Sequence, residues 1–195
     1  WVKVDTVNVW HGVIANGNAN NNVLHNYAVE ITNTNKFKCI LGDGVDTAVA
    51  PESVSTISVN QDYHIACTWD GTTLRLYMNG TENATAVQAI TPAANAASLY
   101  IGQFGGDTDR ANGLIDDVRI YNRALTAVEI EVIAKGRLKY DSLTTPGNGL
   151  VGYWLLDDSP DGTSGDGDTF VDLSGTGNNG TGVDGANNTG LTAQA

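Results

Sequence analysis

Few residues of this chain stand at spacings that support covalent chemistry. Glu129 and Glu131 are the nearest to an acid pair. Glycosyl hydrolysis needs two carboxyl groups flanking one bond. Residues two apart on a helix point in different directions, and Thr126 followed three positions later by Glu129 reads as the capping box of a short helix. His11, His25 and His64 show no metal-ligand spacing, and no serine or cysteine sits in a nucleophile-elbow phrase. The expectation is a protein that is not an enzyme.

Residues suited to binding are more evident. Alternation along 114–121 puts Leu114, Asp116, Val118 and Ile120 on one apolar face, where an ionised carboxylate requires a partner. Arg123 is the plain partner for Asp116 or Asp117. A calcium ion is the other, because carboxylate and turn-carbonyl oxygens suit a hard cation. On the opposite face, Arg75, Tyr77, Tyr100, Arg119 and Tyr121 alternate away from Leu74, Leu76, Leu99, Val118 and Ile120. Flat rings beside guanidinium groups would form a platform for a glycan or an extracellular protein ligand. Ordinary cross-strand pairing of solvent-facing residues explains the same pattern. Rim loops at 16–22 and 105–112 are equally well placed to touch a ligand.

These side chains need a sheet to position them, and the sequence supplies one. Period-two runs recur from Trp1 to Tyr121, broken by Asn33-Thr34-Asn35, Asp70-Gly71 and Asn79-Gly80, which are hairpin signals with residues tolerant of positive φ. Trp1 to Trp10 alternates well enough for a strand. The class is therefore all-β, with one helix of one or two turns after Leu125 packed on a sheet edge. Cys39 and Cys67 both fall inside strands. A bridge requires those strands to face each other with Cα atoms roughly 5.5–6 Å apart, and buried free thiols are the expectation otherwise favoured.

Acidic residues outnumber Lys and Arg by 22 to 10, giving a net charge of -12 over 195 residues. That balance disfavours nucleic acid and anionic membrane surfaces as partners. No apolar run approaches the roughly 20 residues of a spanning helix, so membrane insertion is not expected. Abundant Asn, Thr, Gly and Asp suit a secreted or particle-borne surface protein.

Four phrases between 62 and 125, DYHIACTWDG, TLRLYMNG, SLYIG and NGLIDDVRIYNRAL, together resemble the laminin-G-like, concanavalin-A-like jelly-roll modules. The resemblance covers nearly all of 1–125 and implies a two-sheet antiparallel jelly-roll sandwich in an extracellular, cell-surface or virion setting. Glycosidases of this sandwich carry Glu-x-Asp-x-(x)-Glu on a strand. Glu129-Ile130-Glu131-Val132 has the wrong second acid and no third. GLVGYW at 149–154 and SGTGNNGT at 174–181 resemble the opening of such modules, yet here they come last. The implied organisation is a jelly-roll body at 1–135, a linker at 136–148, and a displaced opening strand and loop segment at 149–195 that completes this or a neighbouring sandwich. Pairing of the Tyr153-Trp154 strand with 117–121 would bring Asp157, Asp158 and Asp172 towards Asp116 and Asp117, enlarging the candidate calcium set. The function expected is non-catalytic carbohydrate or ligand binding. The alternative is a structural subunit forming a homo-oligomer or filament through exchange of the C-terminal strand.

Overall fold

A computed structural model describes residues 1–17, 25–45, 48–92, 97–104, 109–136, 148–156, 169–183 and 190–193. The strands are β1 (Val2–Val4), β2 (His11–Gly17), β3 (His25–Ile31), β4 (Phe37–Gly42), β5 (Ala48–Val49), β6 (Ile65–Trp69), β7 (Thr73–Met78) and β8 (Thr81–Val87). They continue as β9 (Leu99–Ile101), β10 (Gly113–Ile115), β11 (Val118–Tyr121), β12 (Leu150–Trp154), β13 (Thr169–Phe170), β14 (Gly180–Val183) and β15 (Gly190–Ala193), with helix α1 (Ala127–Ala134) between β11 and β12.

One layer is an eight-stranded antiparallel sheet in the order β13-β14-β15-β9-β2-β3-β4-β5. The second is built from β6-β7-β8, β1-β10 and β11-β12, with a Val2–Tyr63 bridge tying β1 to the chain entering β6. Alternation sends Ile31, Phe37, Cys39, Leu41 and Val49 from the first layer against Val2, Val4, Leu74 and Leu76 from the second. Burial of these branched and aromatic side chains, each worth about 1.5–3 kcal/mol, holds the layers together. The fold is the all-β sandwich expected.

The turns follow their residues. Asn79 and Gly80 both adopt positive φ, at 52° and 84°, closing the β7–β8 hairpin, and Asn35 does so at 62° between β3 and β4. Thr126 accepts from the Glu129 amide while the Glu129 carboxylate accepts from the Thr126 amide, and the helix runs for 8 residues with Ile130 and Ile133 buried.

Three expectations are corrected. Cys39 and Cys67 are not free thiols; they form a disulfide with Cα atoms 6.0 Å apart. Their strands lie in opposite layers with both side chains turned inward, a proximity set by sheet packing and not by local pattern. Trp1 to Trp10 is not one strand, because the chain leaves the sheet after Val4 and Asn8 turns left-handed at φ 64°, its amide donating to the Asn35 side chain. The alternation along 114–121 also breaks. Asp117 has φ 55°, which separates β10 from β11 and resets the faces, so that Leu114 and Asp116 are exposed while Ile115, Val118 and Ile120 pack inward.

Candidate functional site

The five residues expected to share a platform do not share one. Arg75 and Tyr77 lie on β7, Arg119 and Tyr121 on β11, and Tyr100 on β9 in the other layer, between Ala15 and Thr192. Arg75 is engaged by Asp70 at 2.5 Å and Glu82 at 3.7 Å. Tyr77 is buried at 4% exposure. Its outward position is covered, and α1 packs beside the β7–β8 hairpin, with Gly80 close against Glu131 and Ala134.

Arg119 serves the interior. Its Nε and Nη2 donate to Asp117 Oδ1 and Oδ2 at 2.7 and 3.0 Å, a bidentate pair with side chains only 8% and 17% exposed. The guanidinium also lies 4.7 Å from the Tyr153 ring centroid. It therefore supplies the positive charge that a cation would otherwise bring to Asp117. Asp116 sits on an exposed turn, its backbone exchanging hydrogen bonds with Trp1. These two residues do not fit a calcium cage; Asp157 and Asp158 lie outside the described residues. Arg123 pairs with Glu129 at 2.7 Å instead of with either aspartate. That pair, with help from the Thr126 amide, holds the Glu129 carboxyl down at about 2, and Glu131 is engaged by Lys135. Glu129 is therefore ionised near neutral pH and not poised to give up a proton there.

Asp172 is likewise satisfied from within. Oδ1 accepts from the Tyr153 and Ser174 amides; Oδ2 accepts from the hydroxyls of Ser174 and Thr176 and from the Asn178 amide, all between 2.8 and 3.0 Å. Burial alone would raise its pKa, but these donors outweigh it and hold the carboxyl below its usual range. The same loop bonds back to β12: Asn178 Nδ2 donates to the Val151 carbonyl, which Thr176 Oγ1 approaches at 2.8 Å, and the Trp154 indole donates to the Asn178 carbonyl. The outer edge of β12 is thereby covered, while its inner edge pairs antiparallel with β11 through Val118–Trp154 and Ile120–Gly152.

A different cluster has the makings of a ligand site. Glu30 and Lys38 are cross-strand partners on β3 and β4, and alternation turns them away from the core that Val29, Ile31 and Cys39 enter. Their side chains pair at 2.9 Å, largely out of solvent. Burial pushes the Glu30 carboxyl above its usual range; Lys38 pulls the other way, and nearby Asp109 and Glu52 reinforce the rise. The Lys38 ammonium stands 5.8 Å from the centroid of the Trp10 ring, which is 40% exposed next to the equally bare Val9. Glu52 bridges to Lys38 along the backbone. A half-exposed indole with an ammonium over its ring, and an exposed acid, Glu52, on the strand segment beside that lysine, offers the apolar surface and polar partners that suit a polyhydroxylated ring. Sequence reasoning passed over it. The available signals were the charges alternating with apolar residues in the phrases AVEI and FKCI, which paired Glu30 with Lys38 once the Asn33–Asn35 turn fixed the register.

No curated protein matches the chain by sequence. Among solved structures, a candidate carbohydrate binding protein from Bacteroides ovatus superposes with TM-score 0.67 at 20% identity, covering 100% of this chain. The chain spans about half, 52%, of that protein. The CBM40 of the Ruminococcus gnavus IT-sialidase, bound to alpha2,3 sialyllactose, gives 0.55 at 19% identity over 68% of this chain and 78% of its own. A SAP-like pentraxin from Limulus polyphemus gives 0.52 at 17% over 68% and 66%. At these identities the likeness is one of fold. The sequence itself matches a laminin-G type family model over residues 1–131, and the chain belongs to the concanavalin A-like lectin/glucanases superfamily.

Proposed function

We propose that this chain is a non-catalytic, extracellular carbohydrate-binding module whose ligand stacks on Trp10. The half-open Trp10 ring beside the Lys38–Glu30 pair carries the reading. A sugar's apolar face would cover the indole while its hydroxyls donate to Glu30 or Glu52 and accept from Lys38. The sialyllactose bound to the Ruminococcus CBM40, and the likeness to a candidate carbohydrate binding protein from Bacteroides, support the ligand class. The Cys39–Cys67 bridge supports an oxidising setting. Lack of turnover is supported by Glu129 and Glu131 being spent on the helix and its ion pairs.

The test is a panel of neutral and sialylated oligosaccharides read by ligand-observed NMR and calorimetry. Saturation transfer from indole protons to at least one sugar is expected, with affinity falling about tenfold or more in Trp10→Ala, the loss of a stacking face. No binding by any sugar would sink the proposal. Hydrolysis that disappears in Glu30→Gln would overturn its non-catalytic part, since a buried carboxyl with raised pKa beside other acids is also the equipment of a general acid.

A further inference from the structure

The outer face of the eight-stranded sheet carries a row of facing residues set by strand register: Gly12 on β2, Glu30 on β3, Lys38 on β4 and, through an isolated antiparallel bridge, Glu52. Residues directly opposite one another share a face, so Lys38 stands between two carboxylates. Gly12 is where a loop crosses this row. A Cβ on it would stand 2.2 Å from the Phe104 nitrogen and 2.3 Å from the Gln103 carbonyl carbon, so only glycine lets that backbone pass. The ends of the loop are tied to β2 and to each other: the Gly102 amide donates to the Val13 carbonyl, the Ala111 amide to the Gly102 carbonyl, and the Gly12 amide to the Asp109 carbonyl at 2.6 Å. Asp109 is thereby set one strand away from Glu30, exposed and in the left-handed region at φ 54°.

The charges of this cluster do not balance. The Lys38 ammonium approaches Glu30 Oε1 to 2.9 Å, but too obliquely for a hydrogen bond, and that buried oxygen accepts none among the described residues. Charge alone holds the pair. Glu52 and Asp109 are both exposed and have no ion-pair partner among the described residues. Burial is the main cause of the raised Glu30 pKa, and Asp109 and Glu52 add to it, so both carboxylates lie within electrostatic reach of the pair. Three carboxylates thus meet one ammonium; with Arg110 counted, which bridges Gly12 through its backbone, they still outnumber the cations. The Lys38 ammonium over the Trp10 ring shows what this surface accommodates. An indole face with carboxylates beside it attracts a cation twice over, through the ring quadrupole and through charge. An anion meets the reverse, because Lys38 is engaged and the unpaired charges repel it.

We propose that the Trp10 site selects glycans bearing a free amino group, a 2-amino-2-deoxyhexose unit whose ring stacks on the indole while its ammonium faces Glu52 and Asp109, over neutral and acidic glycans. This selectivity rests on the carbohydrate-binding reading of the same residues and adds the class of sugar to it.

The probes are a glucosamine tetrasaccharide, its N-acetylated counterpart, a galacturonate tetrasaccharide and sialyllactose, titrated calorimetrically into the full chain at mildly acid pH, where the amines are protonated. The first two share ring and linkage and differ in charge. The amino sugar should bind about tenfold or more tighter than the acetylated one. That margin should shrink as salt rises, and it should collapse in the double variant Glu52→Gln, Asp109→Asn, whose exposed positions leave the core untouched. Trp10→Ala keeps every charge, and it should weaken the amino sugar as the loss of a stacking face. Tetralysine binding as tightly as the amino sugar, or an amino-sugar affinity unmoved by Trp10→Ala, would reduce the effect to attraction of any cation by an acidic protein and overturn the proposal. Equal affinity for the amino and acetylated sugars, or tighter binding of the galacturonate or sialyl glycan, would overturn it as well while leaving the carbohydrate module standing. No binding by any of the four would sink that reading itself, and the selectivity with it.

Discussion

His64 shows how one side chain reports its surroundings. It opens the phrase HIACTW, and its ring is buried at 6% exposure edge-on to Trp1 at 5.4 Å. Burial first, with neighbouring positive charge that includes the Arg119 guanidinium, lowers its pKa to about 4 from 6.5. Between those values the unfolded chain binds a proton that the folded chain refuses, so stability present above pH 6.5 is lost as pH falls towards 4. The contribution is at most about 3 kcal/mol. Glu30, pushed upward by burial, acts with opposite sign and loses its contribution as pH rises. Denaturant melts of wild type and His64→Gln at pH 7 and 4.5 separate the two: the variant should lose less on acidification by about 2 kcal/mol, and parallel losses would disprove the assignment. Asp172→Ala strands three amides and two hydroxyls. It should cost about 3–5 kcal/mol in urea, with Asp172→Asn between it and wild type because one acceptor survives. Legibility at this scale was partial. Thr126 and Glu129 announce their cap because both ends of the interaction lie within four residues. Trp10, Glu30 and Lys38 do not announce a cluster, because only strand register brings them together, and the Asp117–Arg119 fork depends on a left-handed turn that no rule of alternation foresees.

At the level of elements, β1 and β10 approach each other closely at Gly113. Gly113 has φ 149°, and a Cβ there would stand 2.0 Å from the Lys3 carbonyl oxygen and 2.7 Å from Val4 Cα. Neither neighbour is a flexible side chain. Gly113→Ala must push β1 off β10, and a loss of about 2–4 kcal/mol is expected by thermal or urea melts; a variant as stable as wild type would show that the ladder yields freely there. The hairpins β6–β7 and β7–β8 were readable from Asp70-Gly71 and Asn79-Gly80, since turn chemistry sets the register of the strands on either side. The division of 114–121 into two strands was not. A single residue at positive φ rotates everything after it, and Asp tolerates that conformation without declaring it in sequence.

For the whole molecule, the Cys39–Cys67 bridge joins β4 in one layer to β6 in the other across 28 residues. In the loop-closure account its removal costs about 3–4 kcal/mol. Double replacement of the cysteines by alanine should lower the unfolding free energy in urea by that much, and an unchanged midpoint would show that packing alone holds the layers together. The sandwich class was legible because two-residue alternation persists through most of the chain; the partnering of layers was not, because contacts between sheets leave no periodic trace. The C-terminal strands occupy both layers. β12 pairs with β11 in one and β15 with β9 in the other, and Trp154 enters the same cluster as Leu99 and Ile101. Removing residues 149–195 should uncover Val118, Ile120 and Ile101 together and yield aggregation or a steep loss of stability; a truncated chain that stays soluble and melts like the full one would contradict this.

That arrangement bears on how the molecule comes into being. Strands made earlier in synthesis wait beside open edges for their partners: β11 for β12, which begins at Leu150, and β9 for β15, which begins at Gly190, a further roughly thirty and ninety residues at about 5–20 residues per second. Closure of both sheets is therefore a late, non-local event with slow kinetics, of the kind that raises contact order. During those seconds the nascent chain exposes the edges of β9 and β11 at once, and a holding factor or a translocation channel that keeps it extended until the final strands emerge would protect it from pairing with its neighbours.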